Sequence, residues 1–229
     1  GVGDMRKHKD WLVDDLASRT VEDRLVVMKK NLGAEFAQWV GEQDRVKMLR
    51  DTDGDGKADV DTVFADGFLD ALTGIGAGLL ADRGSIYYTC IPELWRLTDD
   101  DHDGVAEQRE VLSSGYGVHI NFLGHALHGL RKGPDGRLYF TIGDRGVSIK
   151  RPDGTRLEEP DTGAVFRCNL DGSDLEIVHR GLRNPQELAF DNYGNLFTGD
   201  NNSDAGDQAR WVWIVEGGDS GWRIGYQWI

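Results

Sequence analysis

Residues His125 to Gly146 read HALHGLRKGPDGRLYFTIGDRG, and this stretch decides the fold. Gly133-Pro134-Asp135-Gly136 is a tight turn, because proline presets one turn angle and glycine accepts the left-handed one. Leu138 to Thr141 leave it as a strand that ends at Gly143-Asp144, where the chain must bend again. Short strands with this Gly punctuation are the pattern of an inner strand in a β-propeller blade, and strand-end loops in a propeller converge on the central channel. A histidine stands just before the strand pair and an aspartate just after it. His125 and Asp144 are therefore expected to meet at the channel mouth, although nineteen residues separate them (144 minus 125).

Outward from this stretch the chain repeats. Val46-Lys47-Met48-Leu49 leads into DTDGDGKAD from Asp51, and Leu94-Trp95-Arg96-Leu97 leads into DDDHDGVAEQRE from Asp99, an offset of 48 residues (99 minus 51). That is the length of one four-stranded blade. Each acidic loop is followed by a β-rich stretch, Val63-Phe64 or Val111-Leu112, then a Gly-rich crossing and an inner strand, Ile86 to Thr89 or Leu138 to Thr141. A third copy opens at Val165-Phe166-Arg167-Cys168, turns at Asp171-Gly172 and reaches Asn195 to Thr198. A last copy opens with Trp211 to Val215. Residues 46–229 thus hold three to four blades of an all-β propeller, and a closed ring more often has six to eight. The blades are expected to form the first part of a larger ring, with the rest of the propeller or a partner chain at the open edge. The start at Gly1 and the stop in mid-pattern at Trp228-Ile229 fit a processed, excised or partial chain.

Residues 1–45 follow a different period. Thr20-Val21-Glu22-Asp23 is a capping sequence, Val21, Leu25, Met28 and Leu32 recur at helical spacing, and Gly33 supplies the stop, so a helix is predicted over 20–32. Trp11, Leu12 and Leu16 add a turn or two before it. This segment is expected to pack on the side or one face of the blades.

Composition sets limits. The 229 residues are 39% hydrophobic with 31 Gly and 5 Pro, as suits a globular all-β chain, and the formal net charge is −14. Such acidity argues against a nucleic-acid partner, which needs clustered Lys and Arg. No segment has the run of about 18 apolar residues that spans a bilayer. Cys90 and Cys168 stand alone, outside any zinc or haem-attachment motif. Two buried thiols are the simpler reading, with a disulfide the alternative.

Two loops carry a metal pattern. In the second, Asp99, Asp101 and Asp103 occupy positions 1, 3 and 5 of a calcium loop, Gly104 the sharp turn, Val105 the carbonyl at 7, Glu107 position 9 and Glu110 position 12. The first has Asp51, Asp53, Asp55, Gly56, the Lys57 carbonyl and Asp59, but Thr62 at position 12, so Asp61, water or another strand would complete it and weaker binding is expected. Both bridge strands, which makes them structural clasps for two calcium ions and not sensors. His102, inside the second loop, reads as an exposed non-ligand.

Further candidates lie after the strands. Arg183-Asn184 before Pro185 sets a guanidinium and an amide on one extended corner, suited to an anionic or carbonyl-rich ligand or to tying two blades together. Tyr116 and His119 sit in a Gly-rich crossing from which they could line the channel. Trp211, Trp213 and Trp222 read as blade packing.

HALHGLRKGPDGRLYFTIGDRG, then GLRNPQELAFDNYGNLFTGD, then VEGGDSGW (Val215 to Trp222) resemble, in order and spacing, the soluble PQQ-dependent glucose and aldose sugar dehydrogenases, over roughly Leu94 to Trp222. The whole chain, with its DMRKHKDWLVDDLASRT opening, resembles more closely still large bacterial propeller proteins described as membrane-bound dehydrogenases, which often carry c-type haem domains. The resemblance implies a six-bladed ring that oxidises a sugar or alcohol hydroxyl with hydride transfer to PQQ. It implies His125 as general base, Asp144 as its orienting carboxylate, and Arg183 and Asn184 against the quinone. His128 occupies a position usually held by glycine. The family binds its catalytic calcium through carbonyls of a Gly-Pro pair; here Asp200 to Asp207 lacks that pair and is more acidic, with Asp200, Asp204 or Asp207 as cation candidates. A c-type cytochrome electron acceptor and a periplasmic or extracellular location follow from the same resemblance. The other reading is a calcium-clasped propeller without a cofactor, used for carbohydrate or protein binding or assembly.

Overall fold

The computed structural model describes residues 5–121, 124–203 and 206–228. Helix α1 (Leu12–Leu16) precedes α2 (Val21–Leu32), and α2 starts where the sequence caps it. Thr20 Oγ1 accepts from Asp23 N at 3.2 Å while Asp23 Oδ2 accepts from Thr20 N at 2.9 Å. Gly33, at φ 51°, ends it in a conformation that costs a residue with a Cβ dearly. The apolar side of this segment, Met5, Trp11, Val27 and Leu32, buries against Ile120. Asp15 is fully buried and its Oδ1 accepts from Ile120 N at 2.7 Å, while the Asp15 carbonyl accepts from His119 Nδ1 at 2.8 Å. The segment therefore lies on a loop face of the blades.

Strands follow in short antiparallel ladders. β1 (Asp44–Arg50) pairs with β2 (Val60–Phe68). β3 (Gly76–Asp82), β4 (Ser85–Cys90), β5 (Glu93–Thr98) and β6 (Gln108–Ser114) form one four-stranded meander. After β7 (Leu127–Lys132) and β8 (Leu138–Ile142), the hairpin β9 (Val147–Lys150) and β10 (Arg156–Glu159) leaves the sheet, and β11 (Gly163–Cys168) and β12 (Glu176–Leu182) complete it. β13 (Leu188–Phe190), β14 (Leu196–Asp200) and β15 (Arg210–Ile214) make a three-stranded sheet, and β16 (Gly218–Asp219) returns parallel to β12. These are propeller blades. The sequence repeat runs half a blade out of phase with them, because β5, β11 and β15, which open three of its copies, are third strands, while β1 opens a two-stranded pair. Likewise β4 and β8 are second in their sheets, not innermost; a turn motif marks where a hairpin closes but not which strand lies nearest an axis.

Apolar contacts join neighbouring sheets. Phe140 and Phe166 stack at 5.1 Å with Tyr116 edge-on to both, next to Leu94 and Leu127. Tyr116 is fully buried and shares a 2.8 Å hydrogen bond with Ser113 Oγ, so it is core and not channel lining. His119, fully buried under α1, is likewise no channel residue. Phe64, Phe68, Tyr88 and Leu97 fill the space between the first two sheets, and Val165, Leu188, Leu196 and Ile214 that between the last two. Cys90 and Cys168 are free and buried, and burial pushes both thiols up to about 12. Among the described residues, no helix is long and apolar enough to cross a membrane.

Strand alternation sorts the loops by rim. His125 precedes β7, Asp144 follows β8 and Arg183 follows β12, all at one rim. The β5–β6 loop lies at the other, the rim where Lys132 at the end of β7 pairs with Asp82 at the end of β3 (2.7 Å). Replacing Asp15 by alanine should strand the buried Ile120 N–H at a cost of about 1–3 kcal/mol, read as a lowered urea midpoint with an unchanged slope.

Candidate active site at the His125–Asp144 rim

Asp144 gathers the site. It is fully buried, and its Oδ1 accepts from His125 Nδ1 at 2.9 Å and from Arg145 Nε and Nη2 at 3.1 and 2.8 Å. Its Oδ2 accepts from Trp222 Nε1 at 2.9 Å, and its backbone N–H donates to the Arg183 carbonyl at 2.8 Å. Burial alone would raise this carboxyl, but the Arg145 charge and the bonds from His125 and Arg145 hold it well below the usual carboxylate range. Gly143 is required here, since a Cβ would come within 2.8 Å of the His125 carbonyl oxygen.

An ionised Asp144 can only accept, so His125 carries its proton on Nδ1 and keeps the lone pair on Nε2. The ring is 2% exposed. Burial pulls its pKa below the ordinary 6.5; Asp144 opposes that shift, and the Arg145 and Arg183 charges add to it. The product is an oriented, neutral imidazole, which is the form a general base needs.

Arg183 and Asn184 turn the corner after β12. Both backbone N–H groups donate to Asp200 Oδ1, at 3.0 and 2.9 Å, and Arg210 Nη2 donates to Asp200 Oδ2 at 2.8 Å. Asp200 therefore serves as an anchor for the corner. Asp207 accepts from Ser203 N and Oγ, Asp204 lies outside the described residues, and no cation group forms from this loop among the described residues. The Arg183 guanidinium lies over the Trp222 ring at 5.6 Å and donates to Gln227 Oε1 at 2.9 and 2.6 Å. Asn184 is 5% exposed, its Oδ1 is buried without a hydrogen-bond donor, and it lines an open groove of about 550 Å³ with Gln186, Asn201, Arg210 and Trp211.

Sequence reasoning missed Arg145 and Trp222. The signals were the Arg of D-R-G and the Trp of D-S-G-W, but a charge beside an acid reads as a surface turn. The three tryptophans do not pack together as expected: Trp211 and Trp213 are 84% and 58% exposed. His128 Nε2 donates to the Gly124 carbonyl at 2.8 Å and is a packed ring.

At the opposite rim the acidic loops close differently from the twelve-residue template. Carboxylate oxygens of Asp99, Asp101, Asp103 and Glu107 lie within 4.8 Å of one another, as do those of Asp51, Asp53 and Asp59. Position 9 completes each group. Glu110 is not part of it, because β6 has already begun at Gln108 and Glu110 pairs there with Arg96. Asp61 pairs with Lys47 at 2.7 Å on β1 and so does not complete the first loop, while Asp55 accepts from Lys57 N and Asp103 from Val105 N, both at 2.8 Å. Asp99 Oδ1 is buried with no donor, an orphan that suits a cation. The second loop is wedged between sheets: Ala106 N donates to Phe64 O at 2.8 Å, and a Cβ on Gly104 would strike Met48.

Fold and rim geometry together define a propeller like those of the PQQ sugar dehydrogenases. Residues 26–214 match the family described as "Domain of unknown function (DUF7133)", and the chain belongs to that family. It is 33% identical to quinoprotein glucose dehydrogenase B of Acinetobacter calcoaceticus over 39% of this chain and 24% of that protein. Among solved structures, a glucose dehydrogenase aligns with a TM-score of 0.56 at 15% identity, covering 77% of this chain and 61% of that one. The PQQ-bound aldose sugar dehydrogenase of Streptomyces coelicolor aligns with a TM-score of 0.50 at 21% identity, covering 79% and 57%. The chain thus spans about a quarter of the curated relative's length and 57% and 61% of these two structures.

Asp144→Asn should leave the buried Arg145 guanidinium without its counter-charge and lower stability by about 3–5 kcal/mol, measured by urea denaturation at neutral pH.

Proposed function

We propose that this chain forms part of a PQQ-dependent propeller that oxidises a sugar or alcohol hydroxyl, with His125 as the general base. The observation that carries this reading is the 2.9 Å bond from His125 Nδ1 to a fully buried, ionised Asp144. His125 Nε2 takes the proton of the substrate hydroxyl, and Asp144 stabilises the imidazolium that forms. PQQ, when bound, accepts the hydride from the hydroxyl-bearing carbon. The residues present fit such a group: Asn184, whose amide oxygen is buried without a donor, belongs to the wall of an open groove, and the Arg183 guanidinium is held in place by Gln227 and Trp222 as a partner for carboxylate or carbonyl oxygens. Further blades would complete the ring beside β1–β2 and β15, and a c-type cytochrome would take the electrons.

The two acidic loops are proposed to hold structural calcium, supported by their converging carboxylates and the orphaned Asp99 oxygen. Such clasps suit a periplasmic or extracellular setting, where calcium is plentiful. Wedged between the first two sheets, the second loop would tie blade to blade.

Three outcomes are expected. With PQQ and calcium supplied, the protein in its full-length ring should reduce a dye with aldoses, and His125→Ala should lower kcat by about 10²–10⁴. No turnover and no absorbance change on adding quinone would leave the calcium-clasped binding propeller as the reading. In kcat/KM against pH, the acid limb should fall at an apparent pKa below 6.5, the ordinary value, since protonating His125 abolishes the base and its folded-state pKa is depressed. The same depression means the folded state binds this proton less readily than the unfolded chain, so stability falls as pH drops below 6.5 toward the folded value. Chelation of calcium should lower Tm, and Asp99→Asn should reproduce most of that loss; a Tm indifferent to chelator would mark both loops as solvated acidic turns.

A further inference from the structure

A cavity of about 190 Å³ lies on the His125 rim, roofed by the α2 segment and floored by the loops 70–75 and 120–121. Two of its lining side chains are buried with polar atoms unmet. Asn121 is 6% exposed, and neither its Oδ1 nor its Nδ2 has a hydrogen-bond partner. Arg24 is 3% exposed; Nη2 donates to Leu72 O at 2.6 Å, but Nε has no partner. An unmet buried polar group costs about 1–3 kcal/mol, so three such atoms on two side chains in the wall of one small cavity point to something that meets them once those side chains adjust.

The backbone under Asn121 is fixed. Ile120 N is held by Asp15 Oδ1, Ile120 O by Arg145 Nη1 at 3.0 Å, and Asn121 O by Met5 N at 3.1 Å. The backbone that carries Asn121 into the cavity wall is thus gripped on both sides.

The remaining wall selects the chemistry. Asp44 and Asp70 each accept one backbone N–H, from Gly76 at 2.5 Å and Leu72 at 3.0 Å, and each carries a second acceptor oxygen. With Glu42 also on the wall, three carboxylates outweigh the one guanidinium and disfavour an anion, while the buried Arg24 disfavours a cation. Trp39 and Ile75 supply apolar surface. Donors and acceptors interleaved around an apolar wall suit hydroxyl groups, each of which is both donor and acceptor. The volume lies below the ~300–1,000 Å³ of drug-sized pockets, and it equals the share of about six waters at ~30 Å³ each.

We infer that this cavity binds a neutral polyhydroxylated molecule the size of one sugar ring, at a subsite separate from the His125–Asp144 pair. The inference does not rest on the proposed dehydrogenase activity. It is tested by calorimetric titration and thermal denaturation of the full chain with D-glucose and with myo-inositol, with no quinone and no added calcium. Either polyol should raise Tm; Asn121→Leu should weaken its binding at least tenfold and Asp70→Asn, at the exposed rim, several-fold, while His125→Ala leaves the affinity unchanged. The Asp70 variant keeps the test sound if Asn121→Leu folds poorly. Absence of heat and of any Tm shift at roughly 100 mM, where a millimolar site is saturated, would mean that the cavity holds only water. Binding lost in His125→Ala and kept in Asn121→Leu would move the sugar to the other site, and a shift with acetate but neither polyol would make this an anion site; each overturns the inference.

Discussion

A single buried carboxylate, Asp144, draws together its neighbour in the chain and two side chains from farther away. His125 comes from the residue run before β7, Arg145 from the bend after β8, and Trp222 from the turn beyond β16, 78 positions away. Removing a carboxylate and a guanidinium from water costs several kcal/mol each, and geometry this saturated is what offsets it. Every one of those bonds also fixes a neighbour: Arg145 reaches on to Ile120 O, and the Trp222 ring lies under Arg183. The ion pair is therefore both the packing centre of the rim and the device that sets the His125 tautomer.

The rest of the fold separates duties by rim. Antiparallel alternation sends His125, Asp144, Arg183 and Asp200 to one side and the acidic hairpins to the other, so the carboxylate-rich loops do not disturb the electrostatics of the imidazole. The α1–α2 segment is tied to the His125 rim through one residue, since Asp15 holds Ile120 N while Arg145 holds Ile120 O. A change under the helices would be felt at Asp144 across a single residue.

What the sequence disclosed was local. The cap at Thr20 and the stop at Gly33 set the limits of α2, and the strand–turn–strand spacing between His125 and Asp144 was enough to expect their meeting. The acidic loops were legible as alternating carboxylates, but the twelve-residue template assumes a helix after the loop. Here β6 starts at Gln108, so Glu107 closes the group and Glu110 faces Arg96 instead. The channel stayed open as a place for Tyr116 and His119 because nothing nearby in sequence announces the aromatic core or the helices that bury them. Trp222 was misread for the same reason: its role depends on a contact that spans a third of the chain.

The most direct measurement is a pH titration of the His125 ring by nitrogen-15 and carbon-13 NMR. The ring should stay in the neutral Nδ1–H tautomer down to a pKa below 6.5, with that tautomer's spectrum lost in Asp144→Asn. A ring that titrates at or above 6.5, or that carries its proton on Nε2 when neutral, would contradict it.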